Sequence, residues 1–260
     1  LYHRDEVVYS LILCLLVKTT FKEALFWTSE MFYSGFHQET WELLWKIYYD
    51  FFAIHNPKFE KKIQRAQRKW RNTNRIDYLV EVVNYLYHCS TPTNKVFHLR
   101  MLKKKVPRSI YLGRTPKWLA ALGLSKKERN FIRSIHKKSH ADISYYLSLI
   151  ENDIARCFEI VKLYYTKIKG YSLKDVDYKK ILYSNKKHIL YALICYLMIE
   201  THEDDNLIAK KGGITQKPAS GKSRVEELLE QLIMVTGQKG DVYMDGAKVS
   251  AAVNQANYNA

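Results

Sequence analysis

Glycine and proline are scarce in this chain, at ten and five among 260 residues. A sandwich or barrel of short strands turns about every ten residues, on turn chemistry that this composition lacks. Helices joined by short turns are therefore expected. Cysteine is scarce too: Cys14, Cys89, Cys157 and Cys195 stand singly inside apolar stretches. A disulfide framework or a zinc knuckle would space them as close pairs, so they read as small buried hydrophobes in a reducing compartment. Long apolar runs are missing as well. Val7–Val17 is broken by Tyr9 and Ser10 and follows Arg4, Asp5 and Glu6, unlike a secretory leader. Ile189–Ile199 falls short of the roughly twenty residues that a bilayer takes, so no membrane span is expected. The chain opens on Leu1 rather than methionine, as a processed or truncated chain would.

The last shortage is of negative charge: 26 Asp and Glu stand against 42 Lys and Arg, a formal excess of +16. Such a field attracts polyanions or acidic protein surfaces and repels itself. An anionic neighbour is the expected remedy.

What is abundant is hydrophobic and aromatic: 47% and 13% of the chain, enough for a substantial core. Apolar residues recur at three- and four-residue spacing through Asp5–Lys18, Phe21–Tyr33 and Glu39–Ile54, with breaks at Thr19-Thr20, Ser34-Gly35 and Asn56-Pro57. The same pattern places helices at Ile76–His88, Ser125–Lys138, Asp142–Ile168 and Tyr178–Thr201, with shorter ones at Phe97–Leu102 and Trp118–Leu122. Ser125 followed by Glu128 has the spacing of a capping box. The fold expected is all-α, an antiparallel helical bundle or short α-hairpin stack over residues 1–202. A polar linker, 203–222, leads to a C-terminal helix at Ser223–Thr236 and a docking tail ending at 260, whose Asp245-Gly246 favours a β-turn.

Two segments differ in kind. Helix Lys58–Arg71 surrounds a narrow stripe of Phe59, Ile63, Ala66 and Trp70 with Lys58, Lys61, Lys62, Arg65, Arg68, Lys69 and Arg71. From Arg100 to Lys138 there are thirteen Lys or Arg and a single acid, Glu128. Together these define a basic contact face: Lys58, Lys61, Lys62, Arg65, Arg68 and Lys69, continued by Arg100, Lys103, Lys104, Lys105, Arg108, Arg114, Lys126, Lys127 and Arg133. Such a face suits an acidic protein surface or a phosphate backbone.

Chemical motifs are harder to find. Gln216–Ser223 ends in the Gly-Lys-Ser of a phosphate-binding loop, but Gln216 replaces the first glycine and no strand precedes it. His136 and His140 are one helical turn apart, with Lys137, Lys138 and Ser139 between them where a zinc protease has its glutamate. His202, Glu203, Asp204 and Asp205 could clamp a metal, although acidic clusters at helix ends are usually solvated. No nucleophile elbow, dinucleotide turn or spaced Cys/His pair stands out. The expectation is a protein that is not an enzyme and needs no cofactor.

The stretches Ala24–Gly35 (ALFWTSEMFYSG) and Leu43–Glu60 (LLWKIYYDFFAIHNPKFE) resemble uncharacterised helical proteins of large nucleocytoplasmic DNA viruses. The tail Gly240–Val249 (GDVYMDGAKV) is similar to the ends of tailed-phage tail or tape-measure proteins. With the charge, the viral resemblance implies a structural virion component, a minor capsid or internal protein, located in the virion and in host cytoplasm during assembly. Its partners would be capsid proteins and, through the same basic face, the packaged genome. Two alternatives stand beside it: a nucleic-acid-binding factor in viral transcription or genome packaging, and a helical enzyme of unknown reaction.

Overall fold

The computed structural model describes residues 2–89, 91–102, 117–169 and 178–209, the side chains of 168–169 and 200–209 excepted. Among the described residues every regular element is a helix, so the fold is all-α. Helix α1 (Arg4–Leu13) widens into a π-helical turn, Cys14–Lys18. Helix α2 (Phe21–Tyr33) starts at Thr20, whose side chain accepts from the Glu23 N–H. Gly35, at φ +85°, turns the chain into α3 (His37–Ile47), which also widens into a π-helical turn, Tyr48–Phe52. After Pro57 comes α4 (Phe59–Thr73), ended by Asn74 in the left-handed conformation, and then α5 (Asp77–His88).

Helices α6 (Lys95–Met101) and α7 (Lys117–Ala120) are short. Helix α8 (Lys126–His136) carries the expected capping box: Ser125 accepts from the Glu128 N–H, and Glu128 accepts from the Ser125 N–H. Helices α9 (His140–Ser148), α10 (Ile154–Lys169) and α11 (Lys186–Ala209) complete the described chain.

The single helix expected over Asp142–Ile168 is two. The Asp153 carboxylate accepts from the Arg156 N–H, a side-chain cap that starts α10 after a break at 149–153. The helix expected from Tyr178 likewise begins later, after a 3-10 turn at Tyr178–Lys180, and α11 then runs to Ala209. The C-terminal helix, the docking tail and the Gly221-Lys222-Ser223 segment lie outside the described residues.

Sequence neighbours form the hairpins α1–α2, α4–α5 and α8–α9, as short turns dictate. Helix α2 packs on α5, α8 on α10, and α6 on both α9 and α11. At the centre stands α3 with its π turn, where Trp41, Leu44, Trp45, Tyr48 and Phe52 are almost completely enclosed. The π turn packs against α6 and α11 and so joins the first half of the chain to the second. Fully burying side chains of this kind contributes about 1.5–3 kcal/mol each. Lys18 adds a long-range tie, its ammonium donating to the Leu86 carbonyl at 2.7 Å and to that of Tyr87, at the carbonyl end of α5.

Candidate functional site

The π turn of α3 does something that an ordinary α-helical turn would not. Its wide hydrogen bond, Ala53 N–H to the Tyr48 carbonyl at 2.8 Å, places five consecutive side chains, Tyr48 to Phe52, out of solvent. One of them is charged. Asp50, 1% exposed, sits among aromatic rings and needs strong partners.

It has two. Arg100 of α6 grips it with both arms of its guanidinium, Nε to Oδ1 at 3.1 Å and a terminal nitrogen to Oδ2 at 2.8 Å. His188 of α11 places Nε2 2.5 Å from Oδ1 and Nδ1 2.9 Å from the Tyr183 hydroxyl. Burial pushes the Tyr183 phenol well above its ordinary value, so its hydroxyl stays protonated beside Nδ1, while Nε2–H donates to Asp50. Burial pushes the Asp50 carboxyl upward, but the hydrogen bond and charge of His188, with those of Arg100, outweigh it and hold the group below the ordinary carboxylate value.

An aromatic stack adjoins this chain of polar groups. Trp45 stacks on Tyr49 and Tyr49 on Tyr183, with ring centroids 5.7 and 5.4 Å apart. Tyr49 donates to Glu60 at 3.1 Å, and the Trp45 indole donates to buried Gln67 at 2.8 Å. Glu60 and Gln67 belong to α4, so these two bonds fix the roll of that helix about its axis. A Tyr–His–Asp series has the parts of a proton relay. Here all three side chains are at most 4% exposed, within the core. The arrangement holds α3, α4, α6 and α11 together.

With its roll fixed, α4 turns Ile63, Ala66 and Gln67 inward. Lys58, Lys61, Lys62, Arg65, Arg68, Lys69 and Arg71 are all exposed. None of the seven makes an ion pair among the described residues. Lys62 lies over the Phe59 and Tyr85 rings at 5.0 and 4.9 Å, and Lys69 over Tyr78 at 5.9 Å, cation–π contacts that lay two of the ammonium groups along the helix surface. Lys58, Lys61, Arg65 and Arg68 are free of such ring contacts.

The rest of the expected basic face fares differently. Lys126 and Lys127 are exposed on α8. Arg133 is 8% exposed, packed inside, and Arg100 is the guanidinium bound to Asp50, its side chain 23% exposed. These two therefore belong to the interior rather than to an outward face, because each faces the core side of its helix. Lys103, Lys104, Lys105, Arg108 and Arg114 lie outside the described residues.

The histidines His136 and His140 part company: His136 Nδ1 is 2.9 Å from the Tyr164 hydroxyl, while the His140 ring lies 6.3 Å from that of His98. The side chains of His202, Glu203, Asp204 and Asp205 lie outside the described residues.

Sequence reasoning missed Asp50, His188 and Tyr183. A signal was present: a lone carboxylate inside the run Tyr-Tyr-Asp-Phe-Phe must find a buried cation or donor. Which residue answers it cannot be read from spacing.

No helix among the described residues is long and apolar enough to cross a membrane. No protein-family model matches the chain, and neither a curated protein nor a solved structure matches it.

Proposed function

We propose that this chain is a non-enzymatic structural protein that holds an anionic partner against the outer face of α4. The observation that carries the reading is the row of six exposed cations, Lys58 at the N-cap with Lys61, Lys62, Arg65, Arg68 and Lys69, along a helix whose other face is pinned by Glu60 and Gln67. Charges on a floppy segment would follow any counterion; charges on a helix of fixed roll present one pattern. The formal excess of +16 supplies the long-range attraction.

The resemblance of Ala24–Gly35 and Leu43–Glu60 to proteins of large DNA viruses supports a virion as the setting. There the chain acts as a minor capsid or internal protein, and the partner is an acidic capsid surface. Two measurements test this. The first is the amount of the chain in purified particles, expected in fixed ratio to the major capsid protein; presence only in infected-cell cytosol would remove the virion from the proposal.

The second is binding of the full chain to poly-glutamate and to a DNA duplex, each against salt. Lys61→Glu with Arg65→Glu and Arg68→Glu is expected to weaken poly-glutamate binding by at least about tenfold, the effect of ~1.4 kcal/mol. A chain that binds the duplex more tightly, with affinity falling steeply as salt rises, would replace the capsid surface with the genome. Triple reversal without effect on either would refute the role of α4.

A further inference from the structure

Away from α4 and from the Asp50 cluster, α6, α11 and the α8–α9 turn border a half-open cavity of about 310 Å³. Its lining has an unusual balance. Lys95 and His98 enter from α6, Lys138 from the turn and His140 from the start of α9, with Asn94 beside them. Among the described residues, no Asp or Glu lines it. The floor is Cys195, Met198 and Ile199 of α11.

Four basic side chains with no carboxylate among the described lining favour an anionic occupant. The repulsion has a visible effect at His140: burial first, then the neighbouring charges of His98 and Lys95, push its imidazole below the ordinary value. The geometry keeps the groups together all the same. The His98 and His140 rings are 6.3 Å apart at 70°, so the two imidazoles face a common space without stacking. Lys138 occupies the left-handed conformation, φ +55°, within the turn between α8 and α9. The positive end of the α9 dipole has the same sign as the side chains around it.

The floor has no nucleophile. Burial pushes the Cys195 thiol up to about 12, and its S–H points to the Lys95 carbonyl at 3.9 Å. Basic residues thus border the cavity, and an apolar, inert floor lies beneath. A carboxylate would balance only one ammonium. A phosphomonoester carries nearly two charges near neutral pH and three strong acceptor oxygens, which matches two ammonium groups and two imidazoles, and its organic part would cover the floor. A volume of 310 Å³ lies at the small end of ligand pockets, where about 300 Å³ is the lower bound.

We propose that this cavity is a phosphomonoester-binding site, with the phosphoryl group held by Lys95, Lys138, His98 and His140 and the organic substituent lying on Cys195, Met198 and Ile199. It is built from elements other than α4 and is separate from the anionic partner assigned to that helix. Binding is non-covalent: no bond is made or broken, and His140 takes up a proton as the dianion enters.

The test is calorimetric titration of the full chain with phenyl phosphate, inorganic phosphate and phenol. Saturable one-to-one binding is expected for phenyl phosphate, weaker binding for phosphate and none for phenol. Lys95→Gln, on an exposed side chain, and Lys138→Gly, at a backbone conformation that glycine adopts freely, should each weaken phenyl phosphate about tenfold, as loss of a charge-assisted contact does. Lys61→Glu with Arg65→Glu on α4 should leave it unchanged. Proton resonance titration of the imidazoles supplies an independent readout: saturation should move the His140 titration to higher pH. Competition by a 5′-phosphorylated trinucleotide, and not by its unphosphorylated form, would assign the ester to a nucleic-acid end; no competition would assign it to a free small molecule; either keeps the site. Absence of saturable binding by both phosphates, or binding indifferent to Lys95→Gln and Lys138→Gly, would overturn the proposal.

Discussion

Asp50 and His188, 138 positions apart in the chain, meet with Oδ1 2.5 Å from Nε2, each no more than 2% exposed. The contact joins the π turn of α3 to the first turn of α11, and the Arg100 guanidinium adds α6 to the same carboxylate. Removing one member of a buried charged cluster leaves the others without compensation. Asp50→Asn is therefore expected to lower unfolding free energy by about 3–5 kcal/mol, measured by urea denaturation. Pairing it with His188→Gln in a double-mutant cycle should give a coupling of about 0.5–3 kcal/mol. Strict additivity would mean that the contact contributes nothing specific.

The difference between what was legible and what was not follows the range of the interaction. The capping box at Ser125 and Glu128, the cap at Thr20 and the left-handed turn at Gly35 depend on residues within about one helical turn, and such local chemistry is written in spacing. The cap at Asp153 is equally local but lies in a stretch whose apolar periodicity runs on from α9 into α10, so the carboxylate is easily taken for a surface residue. Arg100 and Arg133 show the opposite error. A run of cations in one dimension does not tell which of them faces a buried carboxylate or the core, and that depends on how α6 and α8 are rolled against α9, α10 and α11. The outward face of α4 was readable because its apolar stripe is narrow and everything else on the helix is cationic.

The pH dependence of stability follows from the same carboxylate. Its folded-state pKa is depressed below the unfolded value, ~3.9. The sign is then fixed: the stabilisation is complete above that unfolded value and is lost as pH falls through the folded one. The slope of unfolding free energy against pH in this acid range should be shallower in Asp50→Asn than in the parent. An unchanged slope in chemical denaturation would show that other carboxylates govern acid unfolding.

Glu128 performs two tasks with one carboxylate. It accepts from the Ser125 backbone N–H at 2.7 Å, closing the α8 capping box, and from Arg156 Nε of α10 at 2.7 Å. Burial pushes its pKa upward, but Arg156 and Ser125 outweigh this and hold it below the ordinary value. Arg156 is 44% exposed, so the ion pair is screened and worth little. The cap is the larger contribution. Ser125→Ala should cost about 1 kcal/mol, and Arg156→Gln under about 1 kcal/mol with the loss shrinking in high salt. Equilibrium unfolding in low and high salt distinguishes the two.

The cysteines divide by access and acidity. Cys14, Cys157 and Cys195 are buried, whereas Cys89, at the end of α5, is half-exposed. Burial pushes the Cys157 and Cys195 thiols up to about 12 and Cys89 to about 11, with nearby Lys18 and Lys62 pulling the last one back. The thiolate is the reacting species and access limits its attack. In the native protein, labelling by a thiol reagent near neutral pH should therefore be slow throughout, with Cys89 modified first and Cys157 and Cys195 only after unfolding. Peptide mapping of partly labelled protein checks the order. Labelling at Cys195 before Cys89 would mean that α11 opens locally, and the apolar floor on which the phosphomonoester proposal rests would then be a transient surface.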